Sequence, residues 1–325
     1  MRAKIITIGV LVLAAAGLPW SAVQVSAQAP PTPLDCPGVV AVPGGYRLTR
    51  HTSCHVQWSD DGTFFDLGGY RLTGSVFPGG QNQTLRRGTL VTSGEYWAEA
   101  TDLTVQALTV RPPIPGGCTG FCIEAGPNLT VRNSRFRDIG GIALDFYFGH
   151  GGTVVGSTFL RTDTAISVQG SGGVRVAFNR FIDNGVGVNV WAEDLVGADD
   201  NIVRDNRFRD NGTGIRIGSG DVSYAPSLSR NNRQSGLQID VRCYSDDPAN
   251  CFFPTDNRVR ENSFVGNGYG PTDATSDDGA TARGQLTGSE QPVDLPAALA
   301  GFTFTGNTAT WKCRPVRRRS SSSTQ

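Results

Sequence analysis

The feature that most constrains this chain is an internal repeat. Residues 128–145, 152–169, 173–191 and 201–218 align closely, a looser fifth copy spans 227–240, and a half-copy spans 257–268. Most copies open on a short alternating stretch that leads to a polar residue: Ser134 (after Asn133), Ser157, Asn179, Asn206 or Asn262. Two residues on stands an aromatic: Phe136, Phe159, Phe181, Phe208 or Phe264. A polar turn follows, twice as Asp-Asn-Gly, and then a stretch of the form small-aliphatic-x-aliphatic. That last stretch sets the register. Its first apolar column reads Ile142, Ile166, Val188, Ile215 and Leu237, at gaps of 24, 22, 27 and 22 residues; its second reads Leu144, Val168, Val190, Ile217 and Ile239. Two apolar columns with one variable position between them have period two, the signature of a strand with one buried face. A unit of about 22 residues has room for three such strands and three turns. One unit cannot bury its own apolar face, whereas stacked units bury a continuous one.

Stacking sets like residues about 4.8 Å apart along the axis. The phenylalanines then form an internal column, and the Asn and Ser residues form an internal polar ladder with a structural role. The pattern continues more weakly toward the N-terminus, where Tyr46-Arg-Leu-Thr and Tyr70-Arg-Leu-Thr lie 24 residues apart, and residues 64–69 and 101–110 read as strands of earlier coils. Residues 35–54 suit a cap over the open first coil. Residues 268–296 are polar and read as a long loop, and residues 302–308 as a closing strand. The expected fold is all-β, a single-stranded parallel solenoid over residues 35–311 with roughly ten coils and an N-terminal cap.

Export follows from the first residues. Arg2 and Lys4 precede an apolar run from Ile5 to Leu18, and small residues follow, so residues 1–27 read as a signal peptide cut after Ala27. Residues 28–34 read as a Pro-rich linker. No later segment is apolar enough to cross a bilayer, and the mature protein is expected to be secreted or periplasmic. The formal charge balances, yet of 29 basic residues five lie after Trp311 and two in the leader, leaving 22 against 29 acidic ones. An acidic body argues against nucleic acid as the main partner. Residues 312–325 form a basic, Ser-rich tail that reads as disordered. Seven cysteines in an exported chain suggest disulfides. Their spacings suggest Cys36 with Cys54, Cys118 with Cys122 and Cys243 with Cys251, leaving Cys313 over. None has the spacing of a zinc site.

The Asn-x-Phe turn followed by a Gly-Ile-x-Leu strand, with the entry Pro43-Gly-Gly-Tyr-Arg-Leu-Thr to Asp66-Leu-Gly-Gly-Tyr-Arg-Leu-Thr-Gly, resembles the right-handed parallel β-helix repeat proteins of the pectate-lyase-like superfamily. The resemblance covers roughly residues 35 to 310 and implies the hand of the solenoid. It implies little about function, because that superfamily includes lyases, hydrolases, epimerases, phage tailspikes and binding proteins. Gly149-His150-Gly151, Asp199-Asp200 and Arg216-Ile217-Gly218 echo hydrolase motifs in the wrong order, and the Asp-Pro-His motif of alginate epimerases is absent.

In the resemblance, ligands lie on the outer face of one long sheet, taken here as the strand after the Asn-x-Phe turn. Alternation puts Ala143, Ser167, Asn189, Arg216 and Gln238 on that face, followed by Asp145, Gln169, Trp191, Gly218 and Asp240. Loops leaving the face add Tyr147, His150 and Arg242. Tyr147 and Trp191 offer flat apolar faces to a sugar. Asn189, Gln238 and Asp240 suit hydroxyls, and Arg216 and Arg242 suit uronate carboxylates in bidentate fashion. A lyase or epimerase needs a neutralised carboxylate and a base for the adjacent proton, which makes His150, Arg216 and Asp145 the catalytic candidates. A glycosidase needs two carboxylates about 5–9.5 Å apart, whereas Asp145 and Asp240 lie four coils apart, roughly 19 Å. Acid pairs such as Asp199-Asp200 and Asp246-Asp247 sit in turns, and none completes a calcium loop; Ca²⁺ remains an option and no dedicated metal site is expected. The functional expectation is a carbohydrate-active or carbohydrate-binding protein, lyase- or epimerase-like on an acidic polysaccharide. The alternative is a non-catalytic β-helix with a binding or structural role.

Overall fold

A computed structural model describes residues 32–92, 100–118, 121–148, 150–192, 198–219, 237–240, 257–265, 280–282, 303–305 and 308–310. Within them the chain winds as an all-β, right-handed parallel solenoid. Seven strands stack in one sheet, Phe121–Glu124, Ile142–Tyr147, Thr164–Gln169, Val186–Ala192, Thr213–Ser219, Leu237–Asp240 and Ala280–Ala282, which makes about six turns. Among the described residues a 19-stranded sheet and a two-stranded one, Val56–Trp58 with Val76–Pro78, form the rest of the coil wall. Among the described residues the one antiparallel pair is Val39–Val42 with Gly45–Leu48, and the one helical piece is the 3-10 turn Pro33–Asp35.

Each turn is driven by its corners. The residue before each ladder residue has a left-handed backbone (Asn133, Gly156, Phe178, Asp205 and Glu261), and so does the second residue after each Phe (Asp138, Arg161, Asp183 and Asp210). Asn, Asp and Gly reach this region at low cost, which explains the Asp-Asn-Gly turns. Between the corners, Phe136, Phe159, Phe181 and Phe208 stack in parallel with centroids 5.0, 5.1 and 4.7 Å apart. Each pair adds roughly 0.5–1.5 kcal/mol beyond its buried area. The polar ladder runs inside the corner: the Ser157 N–H donates to Asn179 Oδ1 at 2.8 Å, Asn179 to Asn206 at 2.9 Å and Asn206 to Asn262 at 3.0 Å. Their side-chain amides donate to carbonyls of Val154, Val176 and Val203. Two further ladders, Thr162–Asn184–Asn211 and Asn201–Asn257, do the same at other corners. These bonds pair buried amides and carbonyls at the corners, as a buried backbone requires.

The expected register holds for four of its five markers. Ile166, Val188, Ile215 and Leu237 stand in single file. Ile142 does not; it pairs with Thr164, and Leu144 pairs with Ile166. Leu144 lies eight residues after Phe136, whereas Ile166, Val188 and Ile215 lie seven after their phenylalanines. The corner after Phe136 therefore holds one extra residue. Because Ile142, Leu144 and Phe146 alternate, a two-residue slip leaves the apolar pattern unchanged and invisible to period counting.

Other expectations are also corrected. The two Tyr-Arg-Leu-Thr copies do not stack on each other: Tyr46 pairs with Phe65, and Leu72 pairs with Thr52 and Leu90. Ala280–Ala282, inside the stretch read as a loop, adds a strand against Leu237–Ile239. The Cys36–Cys54 and Cys118–Cys122 disulfides form as expected. Cys243, Cys251, Cys313, the leader, Arg242 and the tail lie outside the described residues. No helix of the described residues is long and apolar enough to cross a membrane.

Candidate functional site

The seven-stranded sheet turns its apolar positions inward: Leu144, Ile166, Val188 and Ile215 in one file, Phe146, Val168, Val190 and Ile217 in the next, all buried. The position between these files faces outward. In true register it reads Glu124, Asp145, Ser167, Asn189 and Arg216. The next outward file reads Tyr147, Gln169, Trp191 and Gly218. The corrected register therefore replaces Ala143 with Asp145 in the first file and Asp145 with Tyr147 in the second. Ala143 belongs to the apolar core.

A second correction concerns exposure. Alternation identifies the side of the sheet but not whether that side meets solvent. Asp145, Ser167 and Arg216 are 3%, 0% and 4% exposed, and Gln169 and Trp191 are also buried. Glu124 and Asn189 are half-buried. Tyr147 is 39% exposed, and its ring meets that of the exposed Phe148 edge-on at 4.3 Å.

The buried face is organised by charge and hydrogen bonding. The Gln169 side-chain amide donates to both Asp145 oxygens, at 3.0 and 3.2 Å, which fixes the carboxylate against the neighbouring coil. The Arg216 guanidinium lies 4.5 Å from the Trp191 ring centroid, a cation–π contact worth up to about 2 kcal/mol when desolvated. Between the acid and the arginine, Ser167 Oγ and Asn189 Oδ1 are buried and make no hydrogen bond among the described residues. An unpaired buried polar atom costs about 1–3 kcal/mol, so these two neighbours in one file are a local cost that the fold carries.

Register also decides which residues can cooperate. Asp145 and Arg216 are three coils apart, about 14 Å along the axis, too far to serve one sugar ring. Glu124 and Asp145, by contrast, are direct partners on adjacent coils, with backbones about 5 Å apart. Sequence reading missed Glu124; the available signal was Cys122-Ile-Glu, which lies 21 residues before Ala143-Leu-Asp. Gln238 and Asp240 continue the two files by backbone register. His150 opens strand His150–Val155 of the long sheet, with Gly172 as its partner; both it and Tyr147 are strand residues rather than part of a loop. Among the described residues no three His, Cys, Asp or Glu side chains cluster to hold a metal.

Coil stacking, ladders and register agree with the comparison that decides the family: residues 119–286 match the model described as "Right handed beta helix region". The chain belongs to the right-handed β-helix family. Among solved β-helix structures, the mannuronan C-5 epimerase AlgE6 A-module of Azotobacter vinelandii is 13% identical over 84% of this chain and 88% of its own, with a TM-score of 0.47. The surface adhesin PfbA of Streptococcus pneumoniae is 14% identical over 82% and 75%, with a TM-score of 0.39. A mannuronic acid specific polysaccharide family 6 lyase from human gut microbiota is 10% identical over 82% and 75%, with a TM-score of 0.38. No curated protein matches this β-helix chain in sequence.

Proposed function

We propose that this is an exported β-helix protein that recognises an acidic polysaccharide along the outer file Asp145–Ser167–Asn189–Arg216. One observation carries the reading: two adjacent buried oxygens, on Ser167 and Asn189, lack hydrogen bonds, and they sit between a held carboxylate and a guanidinium stacked on Trp191. Sugar hydroxyls both donate and accept and so suit the two oxygens. Arg216 pairs with a uronate carboxylate. The exposed Tyr147–Phe148 pair at the edge of the sheet gives an incoming sugar ring a flat apolar surface. The disulfides suit an oxidising compartment, in keeping with removal of residues 1–27 on export. The same reading takes the antiparallel Val39–Leu48 hairpin and Cys36–Cys54 as the cap of a stack of roughly ten coils.

For chemistry, the register favours the Glu124–Asp145 pair over an Arg216–Asp145 set. Two carboxylates one coil apart match the spacing of acid–base pairs in sugar cleavage. In a lyase or epimerase, Arg216 would need a base from its own or an adjacent coil. The non-catalytic alternative shares the binding file and lacks turnover. The test incubates the protein with polygalacturonate, alginate and a neutral glucan, with and without Ca²⁺. Binding is measured by calorimetry, unsaturated products by ultraviolet absorbance, new reducing ends by colorimetry and C5 inversion by NMR. Binding of an acidic polymer that weakens at least tenfold in Asn189→Leu supports the reading; unchanged affinity in that variant removes it. New reducing ends lost in Glu124→Gln assign the acid pair, and binding without any product selects the non-catalytic form.

A further inference from the structure

On the long sheet, away from the file just described, one outward column runs unbroken from Arg71 through Thr89, Thr109, Arg135, Thr158, Arg180 and Arg207 to Ser263. Every residue in it is Arg, Thr or Ser. The four arginines, Arg71, Arg135, Arg180 and Arg207, are exposed, and none has an ion-pair partner among the described residues. Elsewhere on this wall Arg137, Arg161, Arg204 and Arg209 pair with Asp138, Asp205 or Asp210 at the corners.

Arg180 and Arg207 are direct partners on adjacent coils. Like charges directly opposite each other across two strands are destabilising, and no carboxylate in the column relieves them. The acids nearby are held at the corners, where Asp tolerates a left-handed backbone. The column spans seven coil steps, about 34 Å, which is a linear track rather than a pocket. Its groups are guanidiniums, which pair with carboxylates bidentately, and hydroxyls, which pair with hydroxyls. It carries no large apolar side chain of the kind that inserts into a lipid interface, and no aromatic on which nucleobases stack.

We propose that this column is a docking strip for a linear acidic polysaccharide, distinct from the buried file on the seven-stranded sheet. The strip shares only the class of polymer with the function proposed above and does not depend on that file being a site.

The experiment uses the full chain and three probes: polygalacturonate, neutral dextran, and vesicles of phosphatidylglycerol in phosphatidylcholine. Binding is measured over a range of salt. The double variant Arg180→Gln/Arg207→Gln is expected to bind polygalacturonate about tenfold more weakly, and its slope of log affinity against log salt is expected to flatten by up to about two. Arg180→Lys/Arg207→Lys retains the slope. Wild-type affinity and slope in the Gln variant overturn the strip, as does equal binding of dextran. Retention by the anionic vesicles without retention by polygalacturonate overturns it in favour of a membrane surface. Binding lost in Asn189→Leu but kept in the Gln variant removes the strip and leaves the buried file as the site. The reverse pattern removes the file and leaves the strip.

Discussion

At the scale of single residues, the fold is under local tension that substitutions can release. Ser167 Oγ is fully buried and unpaired. Replacing it with a methyl removes the cost of desolvating the hydroxyl and leaves no cavity of note, so Ser167→Ala is expected to raise stability by about 1 kcal/mol while weakening sugar binding. Denaturant melts and calorimetry on one variant check both signs; a destabilised variant would mean that the hydroxyl has a structural partner. Glu261 occupies the corner position held by Asn133, Gly156 and Asp205 in other coils, with φ 55°. A long side chain there pays for its left-handed backbone, and Glu261→Asn is expected to add about 0.5–1 kcal/mol, or roughly 2 °C in Tm. Tyr46 gives a pH signature. Its hydroxyl donates to the Asp60 carboxylate, which, with some burial, holds its pKa above the ordinary 10.0. A raised folded-state pKa means that the stabilisation is complete below about pH 10 and is lost as pH climbs through the folded value. Tyr46→Phe should therefore flatten the alkaline end of a stability–pH profile and leave the acid end unchanged.

At the scale of elements, the ladders hold the corners, and their cost of removal is calculable. Asn206 Oδ1 accepts from the Asn179 backbone at 2.9 Å and from its side chain at 3.1 Å, while the Asn206 amide donates to Val176 O and to Asn262 Oδ1. Asn206→Ala strands several buried groups at once and is expected to cost about 3 kcal/mol or more, measured by urea unfolding; a loss below 1 kcal/mol would mean that water replaces the side chain. This ladder and the phenylalanine stack were legible in the sequence because each residue type recurs at a fixed offset. The strand Ile142–Tyr147 was harder. Three alternating apolar residues fit the core equally well after a shift of two, and only the extra residue between Phe136 and Leu144 distinguishes the registers. That slip moved Asp145 out of its file and hid its pairing with Glu124. Burial of the outer face at Arg216 and Trp191 was not legible at all, because period two reports which side of a sheet a residue occupies and nothing about what lies beyond it.

At the scale of the molecule, a parallel stack behaves as a line of units, each coupled to its neighbours, and the cysteines test that description. Cys36–Cys54 closes a loop of 18 residues at the N-terminal end, and by chain entropy such a loop is worth about 3 kcal/mol. In a single all-or-none domain, Cys36→Ser/Cys54→Ser would lower protection of every slowly exchanging amide by that amount. In a line of coupled coils the loss is local: the hairpin Val39–Val42 with Gly45–Leu48 and the strand Phe64–Asp66 that it pairs with should open first. The coils between residues 128 and 218, locked by stacked phenylalanines and three Asn ladders, should keep their protection. Hydrogen exchange on the double variant separates the two cases. Fast exchange confined to residues 39–66 is expected. Equal loss across both regions would make the solenoid one cooperative block, and the nearest-neighbour account of its stability would fail.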